Sequence, residues 1–307
     1  MGLNPKIQAF LKEVNANPIP IESVSPEQFR SQARMQEDGP KQEVAEVEDS
    51  KIELSDRTLP IRIYRSDDKK QPALVFYHGG GWVVGSIESH DATCREIANL
   101  ADCTVISVDY RLAPEYKFPA AVEDAYDAFQ WVRANAEDLR IEQDKIAVGG
   151  DSAGGNLATV VCLLAEERSG HKPIFQLLLY PSTGYIGEEP ASLRENAEGY
   201  LLTKRLMNWF RSHYYRTEED RLNPHASPIR SGLLKTLPPA AILTAEYDPL
   251  RDEAQHYAAK LQQEGVDVFA KNYDGLIHGF AGFTAYVEEA HQALAEGAAQ
   301  LKQALYK

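Results

Sequence analysis

Residues 145–158 read Lys-Ile-Ala-Val-Gly-Gly-Asp-Ser-Ala-Gly-Gly-Asn-Leu-Ala, and this segment decides the fold. A predicted strand, Ile146–Val148, leads into a glycine-rich turn and then into a helix predicted over Asn156–Glu167. Residues 150–154 fit the pattern G-x-S-x-G, in which a glycine on each side leaves room for a strained turn that lifts the serine hydroxyl away from the sheet. Ser152 is therefore the candidate nucleophile. The competing interpretation, a phosphate-binding loop, is disfavoured because the segment contains neither G-x-x-x-x-G-K-[S/T] nor G-x-G-x-x-G.

Alternating strand and helix patterns surround this segment. Further strands are predicted at residues 43–49, 58–64, 73–77, 104–109, 175–181, 240–245 and 266–270. Helical segments such as Ala120–Asn135 separate most of them. This alternation is typical of a mostly parallel, doubly wound sheet flanked by helices, so the predicted fold class is α/β.

Two segments depart from the alternation. Residues 1–50 contain short apolar pieces broken by prolines, which predict short helices. Residues 182–225 separate two strands and contain an aromatic-rich amphipathic helix near Leu201–Tyr215. We expect both segments to form a helical cap over the carboxyl ends of the strands. The core would then consist of residues 51–181 and 226–307.

The composition is that of a globular protein, with 43% hydrophobic and 25% charged residues. A net charge of −14 argues against nucleic acid as a partner, because binding phosphates requires a basic face. No segment approaches the ~20 apolar residues of a membrane span, and no apolar leader is evident, so we expect a cytoplasmic protein with no membrane partner. The three cysteines lack paired spacing, which disfavours a disulfide framework or a zinc site. The protein is expected to be a monomer or a homodimer.

A second glycine-rich segment follows the strand predicted at residues 73–77. It consists of Gly79, Gly80 and Gly81, between His78 and Trp82. Without Cβ atoms, three consecutive glycines can present backbone N–H groups to a ligand at the end of a strand, where α/β sheets place their sites. The alternative is a flexible loop. His78 is interpreted as a residue that orders this loop.

A serine nucleophile needs a general base, which is itself oriented by a carboxylate. His278 follows the last predicted strand and Asp248 follows the strand before it, so the chain order Ser152, Asp248, His278 places all three at one edge of the sheet. The remaining histidines fall on predicted helices or polar loops and are expected at the solvated surface: His90, His171, His213, His225, His256 and His291.

The acid has competitors close to Asp248 in the chain. They are Glu246, Asp252 and Glu253. Asp248 is preferred because it opens the loop after its strand. Asp252 and Glu253 instead begin the following helix, where carboxylates favour the amino-terminal dipole.

Several motifs together give a specific resemblance. They are His78-Gly-Gly-Gly-Trp82, Tyr110-Arg-Leu-Ala-Pro-Glu115, Gly150-Asp-Ser-Ala-Gly-Gly155, Asp248-Pro-Leu-Arg-Asp-Glu253 and Ile277-His-Gly-Phe280. Over roughly residues 50–307, and more loosely in the N-terminal segment, the chain resembles the bacterial hormone-sensitive-lipase family (family IV) of carboxylesterases in the α/β-hydrolase superfamily. The resemblance implies a capped α/β-hydrolase core that hydrolyses short-acyl carboxylic esters without a cofactor or metal.

The family pattern also implies site residues in this chain. By motif position, the backbone N–H groups of Gly80, Gly81 and Ala153 would form the oxyanion hole. These are the same amides that the glycine loop and the residue after the nucleophile offer. The walls of the substrate pocket are expected to include Trp82, Tyr180, Leu201, Phe210 and Ile277.

The predicted function is a serine carboxylesterase that acts on small-molecule esters through an acyl-enzyme. Three alternatives use the same fold. A lipase is disfavoured because the insertion contains the charged run Arg216–Arg221 where an apolar lid would be expected. An amidase shares the acyl-enzyme chemistry and stays open. A noncatalytic small-molecule receptor is disfavoured because such receptors lack a working triad.

Overall fold

An eight-stranded sheet forms the centre of the computed structural model, which describes residues 2–33 and 41–307. The strands are β1 (Glu46–Glu53), β2 (Thr58–Arg65), β3 (Gln71–Tyr77), β4 (Thr104–Val108), β5 (Ile141–Asp151), β6 (Gln176–Leu179), β7 (Ala240–Tyr247) and β8 (Val268–Ile277). Their order in the sheet is β1-β2-β4-β3-β5-β6-β7-β8. Strand β2 runs antiparallel to β1 and to β4. The remaining pairs, from β4–β3 to β7–β8, are all parallel. The prediction of a mostly parallel α/β sheet is confirmed.

Helices cover both faces of this sheet. They are α1 (Pro5–Ala16), α2 (Pro26–Ala33), α3 (Asp91–Ala101), α4 (Ala120–Ala134), α5 (Ala153–Glu167), α6 (Ala191–Glu195), α7 (Lys204–Tyr214), α8 (Glu218–Leu222), α9 (Arg251–Gln263) and α10 (Glu288–Leu305). In the described residues, none of these helices combines the length and the apolar character needed to cross a bilayer.

Strand β3 shows how the two faces form separate cores. All seven of its residues are buried, as expected for a parallel strand covered on both sides. Val75 and Tyr77 belong to the apolar cluster that contains α4, α5 and α9, whereas Leu74 and Phe76 belong to the cluster with α3 and α10. Alternate side chains of a strand point to opposite faces, so one apolar run supplies both cores.

Several element boundaries differ from the sequence prediction. Strand β1 lies over Glu46–Glu53 and not over residues 43–49. Helix α5 begins at Ala153, directly after Ser152, and not at Asn156. Strand β8 extends to Ile277, well beyond residue 270, because it pairs with β7 across a register shift as far as Tyr247. As an edge strand, β8 tolerates polar residues beyond residue 270, namely Lys271, Asn272 and Asp274.

Helix α7 is the main element of the interval between β6 and β7. It begins at Lys204, later than predicted, because the Thr203 hydroxyl caps its first turn by accepting from the Leu206 N–H. Its aromatic face buries Phe210. The Phe29 ring of α2 packs against Trp209 with centroids 5.5 Å apart. Helices α2 and α7 therefore contact each other, although residues 34–40 of the segment predicted as a cap lie outside the described residues.

Candidate active site

Ser152 occupies a strained turn between β5 and α5. Its φ of 53° and ψ of −116° lie in a region that residues with a side chain rarely adopt. The turn also packs tightly against the end of β3. A Cβ atom on Gly150 would lie 2.4 Å from the Tyr77 carbonyl oxygen, and one on Gly154 would lie 1.8 Å from it. Both flanking positions therefore require glycine, which explains the G-x-S-x-G spacing.

Three side chains at the carboxyl ends of β5, β7 and β8 form a continuous hydrogen-bonded chain. His278 Nε2 lies 2.9 Å from Ser152 Oγ, and His278 Nδ1 lies 2.8 Å from Asp248 Oδ2. An ionised carboxylate only accepts, so the imidazole carries its proton on Nδ1 and Nε2 accepts from the serine hydroxyl. Asp248 is fully buried, and its other oxygen accepts from the Leu250 N–H at 2.8 Å. This second hydrogen bond fixes the carboxylate in its orientation toward the imidazole.

The other candidate acids are held by different partners. Glu246 accepts from a backbone N–H of β8 at 2.8 Å, and Asp252 pairs with the adjacent arginine at 2.8 Å. Glu253 accepts hydrogen bonds from the segment that follows β6. The structure thus brings Asp248, and not these neighbours, to His278.

Three residues beside Ser152 have backbone N–H groups without an acceptor in the described residues. They are Gly80, Gly81 and Ala153, which all line the cavity beside Ser152. Gly80 and Gly81 have φ values of +116° and +59°, and a Cβ on Gly81 would lie 2.3 Å from the Phe210 ring. Free donors in a fixed loop are the arrangement that stabilises a developing oxyanion.

His90 and Asp151 form a pair that the sequence analysis missed. Asp151 Oδ1 accepts from the Gly79 N–H at 2.7 Å and lies 3.0 Å from His90 Nε2. Burial alone would raise the pKa of Asp151, but the charge of His90 and the hydrogen bonds from His90 and Gly79 outweigh it, and the pKa lies below its usual value. The expectation that His90 is a surface residue is wrong. Its side chain is 17% exposed and lies in the cavity wall.

His78 is enclosed below the glycine triplet. Its Nδ1 donates to the Gly79 carbonyl at 2.7 Å, and its ring stacks on Tyr110 with centroids 4.4 Å apart. Burial lowers the pKa of His78 to about 3, so the ring is neutral at physiological pH. A neutral, stacked ring can order the loop without placing a second charge near Ser152.

A cavity of about 880 Å³ opens beside Ser152. Trp82, Leu201 and Phe210 lie on its wall, in the positions where the sequence analysis placed pocket residues. Tyr180 and Ile277, also expected there, belong to the core instead. Ile277 is fully buried, and Tyr180 packs edge-on against the His278 ring with ring centroids 4.8 Å apart. Further wall residues come from elements distant in sequence: Phe10, Phe29, Leu202, Leu206, Met207, Phe283 and Val287.

Known proteins resemble this chain along most of its length. Residues 74–282 match the protein family described as having the alpha/beta hydrolase fold. An arylesterase of Saccharolobus solfataricus is 41% identical over 287 residues, covering 92% of this chain and 93% of that protein. An ethyl acetate hydrolase of Pseudomonas putida is 37% identical over 308 residues, covering 96% of each. The solved structure of a hyperthermophilic esterase from the archaeon Pyrobaculum calidifontis has a TM-score of 0.93 at 42% identity, with 99% of both chains covered.

Proposed function

Because this chain belongs to the α/β-hydrolase family, as a serine carboxylesterase of the hormone-sensitive-lipase type, we propose that it hydrolyses short-acyl esters through an acyl-enzyme formed on Ser152. The observation that carries the proposal is the hydrogen-bonded chain from Ser152 through His278 to Asp248, with separations of 2.9 and 2.8 Å. This chain of contacts opens onto the cavity. Among the relatives, the ethyl acetate hydrolase is named for an ester of this small size.

In the acylation step, His278 Nε2 is free to accept the Ser152 proton because the imidazole carries its own proton on Nδ1. Ser152 Oγ attacks the ester carbonyl carbon while His278 Nε2 accepts the hydroxyl proton. The carbonyl oxygen becomes an oxyanion and accepts hydrogen bonds from Gly80, Gly81 and Ala153, each such donor typically contributing ~10²–10³-fold in rate. His278 then donates its proton to the leaving alcohol. Asp248 stabilises the imidazolium during both steps.

Deacylation repeats the sequence with water as the nucleophile. His278 accepts a proton from the water, a second tetrahedral intermediate forms in the same oxyanion site, and Ser152 leaves as the alcohol. The products are a carboxylic acid and the regenerated serine. No step requires a cofactor, because the proton and the negative charge are handled by side chains and backbone amides.

The proposed substrate size follows from the cavity and the helices around it. Side chains of α2 and α7 form part of the wall, which supports the proposal that residues 1–50 and 182–225 act as a cap. A cavity of about 880 Å³ accepts a small ester with both of its substituents. A lipase, an amidase or a noncatalytic receptor is less well supported, because the named relatives are an arylesterase and an ethyl acetate hydrolase.

The location we propose is the cytoplasm. All three cysteines, Cys94, Cys103 and Cys162, are buried free thiols. A reducing compartment maintains thiols in this state.

A panel of p-nitrophenyl esters from acetyl to palmitoyl tests the proposed function. We expect the highest kcat/KM between acetyl and hexanoyl for the wild type, and activity at the level of the uncatalysed reaction for Ser152→Ala. A maximum at palmitoyl would contradict the short-acyl proposal. Undiminished activity of Ser152→Ala would contradict the assignment of the nucleophile.

A further inference from the structure

The cavity wall contains cationic side chains as well as the carboxylates of Asp109 and Asp151. In the described part of the chain, Lys6, Arg30 and Arg211 line it among mostly apolar side chains. Two of them are engaged by the protein itself. Both terminal nitrogens of Arg30 contact the Glu115 carboxylate, and Lys6 Nζ donates to the Tyr286 carbonyl. These two cations therefore have structural partners.

Arg211 differs from the other two. It is half-buried, yet no carboxylate of residues 2–33 and 41–307 lies within ion-pair distance of its guanidinium, and the group forms no hydrogen bond with them. A guanidinium offers a planar set of donors that matches a carboxylate in a bidentate pair. The guanidinium nitrogens are not among the buried atoms without a partner, so an anionic ligand that enters the cavity can reach them.

The charge of Arg211 acts to lower the pKa of two carboxylates, Glu189 and Glu253, but both form hydrogen bonds with other groups. Glu189 accepts from the ammonium of Lys204 at 2.7 Å. Glu253 is 1% exposed and lies behind Ser182; its Oε1 accepts from that hydroxyl and from two backbone N–H groups at 2.9 and 3.2 Å. Arg211 is therefore not required to satisfy either acid.

Arg211 lines the same cavity as Ser152 and His278. It directly follows Phe210, whose ring occupies the space that a Cβ on Gly81 would need. Ser182 lines the same cavity, and its N–H donates to the Ser152 carbonyl at 3.1 Å. Helix α7 thus brings Arg211 to the wall that contains the nucleophile and the glycine loop.

We propose that Arg211 binds a carboxylate on the substrate, so that the preferred class is a short ester that also bears a free carboxylate, such as the monoester of a dicarboxylic acid. The inference rests on the proposed esterase function and adds the substrate class. The apolar surroundings strengthen the ion pair relative to bulk water. A substrate carboxylate also supplies the planar acceptor that no carboxylate of the described residues offers to Arg211.

Two matched pairs of esters test this inference. Monoethyl glutarate is compared with ethyl 5-methylhexanoate, and 4-acetoxybutanoate with 4-methylpentyl acetate. In each pair the carboxylate is replaced by an isopropyl group of similar size and branching, first on the acyl side and then on the alcohol side. We expect the wild type to favour the anionic ester in one pair, and Arg211→Met to lower the anionic-to-neutral ratio of kcat/KM in that pair by roughly 10- to 100-fold, as for a charge-assisted hydrogen bond.

The control is Arg205→Met, which removes the same charge from the same helix. Arg205 is 50% exposed and pairs with Glu22 at the surface, so its removal should leave the ratio unchanged. Arg211→Lys keeps the charge but loses the planar pair of donors, so it should give an intermediate ratio. It also provides a second variant if Arg211→Met folds poorly. Equal ratios for wild type and both Arg211 variants in both pairs would overturn the inference. Absence of wild-type activity on all four esters would instead refute the proposed function.

Discussion

The N–H of Gly79 donates to Asp151 Oδ1 across 2.7 Å, and this hydrogen bond ties the glycine triplet to the residue that precedes Ser152. The two parts of the proposed oxyanion site come from different loops: Gly80 and Gly81 follow β3, and Ala153 begins α5. Their relative positions therefore depend on a contact between these loops. The Asp151 carboxylate provides that contact, and its pairing with His90 holds it in place.

Replacing Asp151 by Asn should weaken this connection and reduce the dependence of stability on pH. The folded-state pKa of Asp151 is lowered, so its ionised form contributes stability above the ordinary carboxyl pKa of ~3.9, and this contribution is lost as the pH falls through that value and below. We expect Asp151→Asn to have a lower thermal midpoint than the wild type at pH 7, with the difference shrinking toward pH 3. Thermal unfolding at several pH values measures it.

The exposed Asp138 provides the matched control for this experiment. Asp138→Asn should unfold like the wild type at every pH. A gap between wild type and Asp151→Asn that stays constant from pH 7 to pH 3 would show that the carboxylate charge does not contribute.

Covalent labelling tests the nucleophile. An organophosphate should modify Ser152 alone, because its hydroxyl lies 2.9 Å from an imidazole nitrogen that can accept its proton. Peptide mass mapping locates the adduct. An adduct on Ser182, which lines the same cavity, with Ser152 unmodified would refute the assignment.

Substitution of the base and the acid should lower turnover without unfolding the protein. We expect His278→Ala and Asp248→Asn each to reduce kcat by at least ~10³-fold. Asp252→Asn is the control, since that carboxylate pairs with Arg251 and should leave turnover close to the wild-type value. A larger loss in Asp252→Asn than in Asp248→Asn would reverse the assignment of the acid.

Gly81→Ala should impair the oxyanion site. The added methyl group would lie 2.3 Å from the Phe210 ring, and alanine would have to adopt a φ of +59°. Displacing one oxyanion donor typically costs ~10²–10³-fold in kcat. Steady-state kinetics with p-nitrophenyl butyrate measure the loss, and Gly232→Ala, where nothing lies within 4 Å of the new methyl group, is the control.

The double variant Gly81→Ala with Phe210→Ala separates the two causes of this loss. Removing the ring relieves the clash and leaves only the backbone strain, which costs ~1–3 kcal/mol. Activity should therefore recover in part. No recovery would mean that contact with Phe210 is irrelevant to the defect.

Arg30→Met should loosen α2. The Arg30 guanidinium donates to the carbonyls of Val83 and Ala113 at 2.7 Å and pairs with Glu115, so it joins α2 to the loops beside the cavity. Losing these charge-assisted hydrogen bonds should cost about 1–3 kcal/mol of stability and make the N-terminal segment more sensitive to limited proteolysis. The exposed Lys12→Met serves as control. An unchanged proteolytic pattern would show that Arg30 does not anchor the segment.

Local patterns were sufficient to predict the sheet and the order Ser152, Asp248, His278. Apolar runs mark the buried strands, and a carboxyl-terminal position on neighbouring parallel strands brings side chains to one edge. The pairing of His90 with Asp151 was not predicted, because it joins residues 61 positions apart that share no local motif. Tyr180 and Ile277 were expected in the pocket wall, but their side chains belong to the core. Which side of a strand end faces the cavity depends on the tertiary packing of α2 and α7.

The reacting groups and much of the cavity wall come from different elements of the chain. The groups that handle the proton and the oxyanion stand on strand ends and tight turns where Gly150 and Gly154 admit no side chain. Much of the remaining cavity wall is contributed by α2 and α7, including Phe29, Met207 and Arg211. Substitutions on these helices can accumulate without moving the reacting atoms. Proteins that share this chemistry can therefore differ in the ester that they accept through substitutions on two helices, while the residues that react stay the same.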